Sequence, residues 1–124
     1  MNEVVRIERL ELAFAPRPWA FAENRRAEIM QHFDALRREK PALWNGRVLL
    51  LQDHAVAAGV FRGDYFETDY ASFVAWRDWG FPDASVRNCF SLGALRAADG
   101  SFLLGVMGSQ TLNAGKVYFP AGTP

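Results

Sequence analysis

Between Val4 and Phe14 apolar and charged residues alternate, with Val5 and Ile7 followed by Leu10, Leu12 and Phe14. A period of two puts alternate side chains on one face and predicts a half-buried strand. The phase slips by one at Glu8-Arg9, so a bulge is expected there, or a turn between two short strands. Pro16 and Pro18 then end the ladder, because neither has a backbone N–H to donate. From Ala22 to about Glu39 the period becomes helical. Ile29, Phe33 and Leu36 fall at i, i+4 and i+7, while Arg25, Glu28, Gln31 and Arg38 take the opposite side. The basic end at Arg37-Arg38 suits the negative pole of a helix, and Pro41 stops it.

Asn45-Gly46 predicts a tight turn, followed by a short buried strand over Arg47 to Gln52. Asp53-His54 is expected to turn the chain into a return strand, Ala55 to Phe61, which Arg62-Gly63-Asp64 breaks. Tyr65 to Trp79 reads as a second helix, capped by Thr68 or Asp69. Its Tyr70, Phe73, Val74 and Arg77 share a side that Trp76 and Trp79 widen into an aromatic belt, with Gly80 as C-cap and Pro82 as stop. A strand begins at Arg87-Asn88-Cys89-Phe90, and short strands follow on either side of an Asp99-Gly100 turn and again before Phe119. The expected class is α+β: a mixed or antiparallel sheet with two helices. A weak boundary near Pro82 to Arg87 divides an N-terminal α+β arm, 1–86, from the strands of 87–124.

Half of the 124 residues are hydrophobic and 23% are charged, which is a foldable, globular composition of one domain's length. Fourteen Lys plus Arg balance fourteen Asp plus Glu, so net charge gives no support for binding nucleic acid or an anionic membrane. Cys89 is the only cysteine, which rules out an internal disulfide and leaves a small buried residue as the simpler reading. With no signal-peptide core and no apolar run of membrane-spanning length, a cytoplasmic location is expected. No G-x-S-x-G, H-E-x-x-H or phosphate-cradling Gly-Lys loop is present. Two histidines and one cysteine make poor material for a cysteine nucleophile, and Asp64, Glu67 and Asp69 suit helix capping better than a cation site.

The stretch Leu92 to Gly122 resembles the start of a Nudix hydrolase domain. The resemblance rests on the strand Leu92-Gly93-Ala94-Leu95, the Asp99-Gly100 hairpin, Phe102-Leu103-Leu104-Gly105-Val106, and Gly115-Lys116-Val117-Tyr118-Phe119-Pro120, in that order. In that family an aromatic-Pro-Gly-Gly run leads into the catalytic box, G-x5-E-x7-R-E-U-x-E-E-x-G-U, where U is aliphatic. Here Phe119-Pro120-Ala121-Gly122 takes its place, with Ala121 departing from the usual glycine. The arm, with its strand pair and Tyr/Phe/Trp helix, is diffusely similar to nucleoside-diphosphate-sugar pyrophosphatases of the family. The resemblance implies the N-terminal portion of a Nudix pyrophosphohydrolase, cut before the catalytic helix, whose substrate is a nucleoside diphosphate linked to another group. It implies Mg²⁺ for the full-length parent, held by glutamates of the box, with no cofactor in this chain and no activity from it alone. Gly122 would supply one metal-facing carbonyl.

Under that resemblance Arg62 and Arg87 offer bidentate donors to phosphate, Lys116 pairs with a phosphate, and Trp76 or Tyr118 stacks on a base. The plainer account of each is a surface charge or a core aromatic. The partners expected are a nucleotide-type small molecule and, through strand surface left uncovered, a second copy in a homodimer. The alternative is a non-catalytic ligand-binding or assembly domain.

Overall fold

A computed structural model of the chain describes residues 3–121, and its class is α+β. The first strand, β1 (Arg9–Phe14), leads to two helices, α1 (Ala20–Asn24) and α2 (Arg26–Glu39). A hairpin follows, β2 (Arg47–Ala57) and β3 (Val60–Asp69), and then α3 (Tyr70–Asp78). Two short strands, β4 (Gly105–Val106) and β5 (Val117–Tyr118), close the chain. The main sheet has the order β1-β3-β2, with β1 parallel to β3 and β2 antiparallel to it, so it is mixed.

The phase slip before β1 is real and small. The amides of Glu8 and Arg9 both donate to the Gly59 carbonyl, at 2.8 and 3.1 Å, and regular pairing starts at Arg9. The expected single helix from Ala22 is two, because Arg25 leaves helical geometry at φ −121° and ψ 26°. Its guanidinium meets Glu28 at 2.7 Å and lies 4.1 Å over the Trp79 ring, which ties the corner to α3.

The hairpin corrects several sequence-based expectations, among them the helix from Tyr65: residues Tyr65 to Asp69 complete β3, and the helix starts at Tyr70. Asp53-His54 is not a turn: β2 runs on to Ala57, and the chain reverses at Ala58-Gly59, with φ of 51° and 75°. Positive φ at both central residues matches the right-handed twist of a two-residue hairpin. A register shift between Leu51 and Asp53 absorbs the irregularity at Gln52, so the strand survives it. Arg62-Gly63-Asp64 does not break β3 but lies within it. Gly63 is there for space, since a Cβ would sit 2.7 Å from Leu51 Cδ1. Asn45-Gly46 makes no hairpin turn; it fastens the start of α3 to the strand entry, with Tyr70 N–H donating to Gly46 O at 2.8 Å.

The core lies between one sheet face and the helices. Trp19, Ile29, Phe33, Leu50, Phe66 and Trp76 form its centre, with Ala71 and Ala75 allowing α3 to approach closely. The helical stripe read from sequence is the buried one, as Ile29 and Phe33 are its inaccessible members. At the end of α3, Phe81 N–H donates to Trp76 O at 2.8 Å and Gly80 has φ 82°, so the glycine stop acts as expected. Val86 is the last buried residue among those described. From Arg87 to Ala121 every residue is exposed or half-buried.

That final stretch is a set of narrow hairpins. Asp99 holds its turn by accepting from Ser101 N–H and Oγ at 2.9 and 2.6 Å, and Leu103 N–H donates to Leu95 O at 3.0 Å. β4 pairs antiparallel with β5, and Gly93 N–H donates to Pro120 O at 2.7 Å. The strand expected at Arg87 is a single bridge, Arg87 exchanging two bonds with Leu51 at 2.8 and 2.9 Å.

Candidate functional site

The residues singled out by sequence occupy separate places. Arg62 stands on β3, where its Nε meets Glu11 Oε2 at 2.6 Å; Glu11 also pairs with Arg9 at 3.2 Å. Arg87 is bound through its backbone at the β2 edge and its side chain is exposed. Lys116 is exposed and reaches Asn113 Oδ1 at 3.4 Å, while Tyr118 is half-buried on β5 opposite Gly105. Trp76 is only 3% accessible, donates its indole N–H to Asp83 O at 3.0 Å, and packs edge-on against Trp19 and Phe81. It is therefore a core aromatic with no free face for a base. No hydrogen bond, ion pair or ring contact joins any two of these five among the described residues. Gly122 lies outside the described residues.

Three polar arrangements come from the tertiary fold instead. The densest surrounds Asp69 at the start of α3. Asn45 Oδ1 accepts the Ala71 amide at 2.8 Å and its Nδ2 donates to Asp69 Oδ2 at 3.1 Å. Arg26 Nη1 reaches Asp69 Oδ2 at 3.0 Å and Ser72 Oγ at 3.2 Å, and the Ser72 hydroxyl donates to Asp69 Oδ1. Burial pushes the Asp69 carboxyl up, but the donors Ser72, Asn45 and Arg26 outweigh it and hold the group below the usual carboxylate range. Both Asp69 carboxylate oxygens are thereby engaged within the protein, which makes this a clamp between α2, the strand entry and α3. Asp69 takes the N-cap position expected from sequence, but its side chain caps no helix amide; Asn45, which the sequence pattern does not single out as a cap, satisfies the Ala71 amide instead.

The second surrounds Asp83, which accepts from Trp19 Nε1 at 2.8 Å and from Ser85 N–H and Oγ at 2.9 and 2.6 Å. Burial raises its pKa, and these donors with nearby Arg17 bring it below the usual range. The third pairs His32 Nε2 with Asp78 Oδ2 at 2.8 Å beside the Trp79 ring, across α2 and α3.

An apolar concavity lies on the opposite side of the sheet from the helices. It is a groove of about 480 Å³ between Leu10, Leu12 and Phe14 of β1, Phe61 of β3, and the crossing segment Cys89–Phe90. The register explains its apolar walls, because Phe61, Gly63 and Tyr65 stand beside Leu10, Leu12 and Phe14. Its one ordered polar contact is Tyr65 Oη donating to Cys89 O at 3.0 Å. Burial first, then hydrogen bonding and charge interaction with Cys89, push the phenol up to about 12. It stays protonated at neutral pH and acts as a donor, not a base. Such a groove can receive an apolar or planar group, but no nucleophile and base meet in it.

No three His, Cys, Asp or Glu side chains converge to hold a metal among the described residues, so the Mg²⁺ implied by the resemblance has no ligand set here. No described helix is long and apolar enough to cross a membrane. The chain matches no protein-family description, no curated protein and no solved structure.

Proposed function

We propose that the chain is the N-terminal portion of a Nudix pyrophosphohydrolase acting on a nucleoside diphosphate linked to another group, with 87–121 as the first strands of its Nudix-like part. The observation that carries this reading is the state of those strands. Leu95, Phe102, Leu103, Leu104, Val106 and Val117 are all exposed, with Val106 at 70%. Apolar side chains left exposed in this number favour a covering layer, which the remainder of a Nudix fold would supply. The order of segments supports the same reading: a hairpin at Asp99-Gly100, the β4–β5 pair, then Phe119-Pro120-Ala121. On this reading the arm contributes scaffold and substrate contacts, and the metal chemistry belongs to residues that follow. Arg87, Lys116 and Tyr118 remain the substrate-facing candidates, since each presents its side chain at the surface or half-buried.

The test uses the longest reading frame that contains residues 1–124. Its product is incubated with Mg²⁺ and a panel of nucleoside diphosphate sugars, and nucleoside monophosphate is followed by chromatography. Release that disappears when the box glutamates become glutamine, with none from 1–124 alone, is the expected result. A frame without a glutamate helix after Gly122, or a product that hydrolyses none of the panel, would overturn the reading.

A further inference from the structure

The outer edge of β1 is open, and its chemistry is unusual for an edge. In a parallel pair alternate residues bond inward. Arg9 N–H donates to Gly59 O at 3.1 Å and Ala15 N–H to Tyr65 O at 2.7 Å, so the odd-numbered residues face β3. The amides and carbonyls of Leu10, Leu12 and Phe14 therefore point out of the sheet, and no partner for them occurs among the described residues. Natural edges are blunted by inward charges, lysines, bulges or prolines. Between Glu8 and Pro16 this edge carries Leu, Leu and Phe at every outward-bonding position, exposed at 64%, 51% and 59%.

We propose that β1 is a self-pairing edge, through which two copies of this chain join antiparallel about a two-fold axis at Leu12. That register sets Leu12 against Leu12 and Leu10 against Phe14, and each of these pairs can exchange both of its bonds. On the other face Glu11 meets Ala13 and Arg9 meets Ala15, so no like charges stand opposite each other. Glu11 is already neutralised by Arg62 and Arg9 of its own chain. Registers shifted toward Arg9 are worse. An axis at Glu11 opposes Glu11 to itself, and an axis at Leu10 sets Glu8 against Leu12 and Arg6 against Phe14. Pro16, with no amide, ends the ladder at both outer ends. The product is one continuous sheet in the order β2-β3-β1-β1-β3-β2, with the two apolar grooves side by side on one face. This inference does not depend on the Nudix reading, because it uses only β1 and its neighbours.

The test is sedimentation equilibrium of the chain across a wide concentration range, with residue-resolved amide exchange. The wild-type chain is expected to dimerise. Its Leu10, Leu12 and Phe14 amides should slow with concentration while those of Arg9, Glu11 and Ala13 stay unchanged. Leu12→Pro removes an outward amide and leaves the β1–β3 bonds intact; it should weaken dimerisation by about tenfold or more. Leu12→Lys, which sets two like charges across the axis, should do the same, and it decides the matter if Leu12→Pro does not fold. A chain that stays monomeric throughout, a dimer indifferent to both substitutions, or concentration-dependent slowing at the odd-numbered amides in place of the even-numbered ones would overturn the proposal.

Discussion

The body from Trp19 to Val86 and the strands from Arg87 to Ala121 are comparably rich in large apolar side chains, yet only the first buries them. In the body each apolar face has an opposite number: Leu50 and Phe66 on the sheet meet Ile29, Phe33 and Trp76 on the helices. Beyond Val86 the strands make hairpin hydrogen bonds, but among the described residues no layer stands against them. Fully burying a Leu or Phe contributes roughly 1.5–3 kcal/mol, whereas a single backbone hydrogen bond contributes about 1 kcal/mol net. The body is therefore held by packing and the strands chiefly by turns such as Asp99-Gly100. Hydrophobic content alone does not make a core; a facing surface does.

The sharpest way to break that comparison is a matched pair of truncations. Phe33→Ala should lose about 3–5 kcal/mol of unfolding free energy in chemical denaturation, because it opens a cavity where the side chain is wholly enclosed. Leu104→Ala, at a site 50% exposed, should stay within about 0.5 kcal/mol. Equal losses would mean that the final strands are packed against something after all.

A smaller effect should come from the clamp. Asn45→Ala leaves the Ala71 amide without its acceptor and removes one donor from Asp69, so a loss of about 1–2 kcal/mol is expected. Amide exchange should show the change concentrated at the first turn of α3, with the β4–β5 hairpin untouched.

The smallest effect is on pH dependence. The folded protein holds the Asp69 carboxyl below its ordinary value, so its contribution is present above an unfolded pKa of about 4 and is lost as pH falls through the lower folded value. Denaturation midpoints measured from pH 7 downward should fall more steeply below about pH 4 for the wild-type chain than for Asp69→Asn. Parallel curves would show that Asp69 is not the group responsible.

Local pattern was enough for the α+β class, for the buried stripe of α2, for Asp69 at the head of α3 and for the Gly80 stop. These follow from the covalent geometry of strands and helices, in which a repeat of two or near four residues decides which side chains share a face. The same pattern predicts a turn at Asp53-His54 and a strand break at Arg62-Gly63-Asp64, where the strands in fact continue, because turn-prone residues carry no record of their cross-strand partners. Pairing with β3 carries β2 past Gln52, and crowding by Leu51, not a turn, explains Gly63.

For the candidate site the division is similar. Arg62 and Trp76 have residue types suited to substrate binding, but an ion pair with Glu11 occupies one and core packing encloses the other. The sequence by itself determined which side chains line each strand face and which residues could cap a helix. Only the tertiary structure decided that Asn45 reaches Ala71, that Leu10, Leu12 and Phe14 share a groove with Phe61, and that the β1 edge stays open. The physical reason is that hydrogen-bond satisfaction and burial depend on neighbours distant in the chain, and no local repeat records which neighbours arrive.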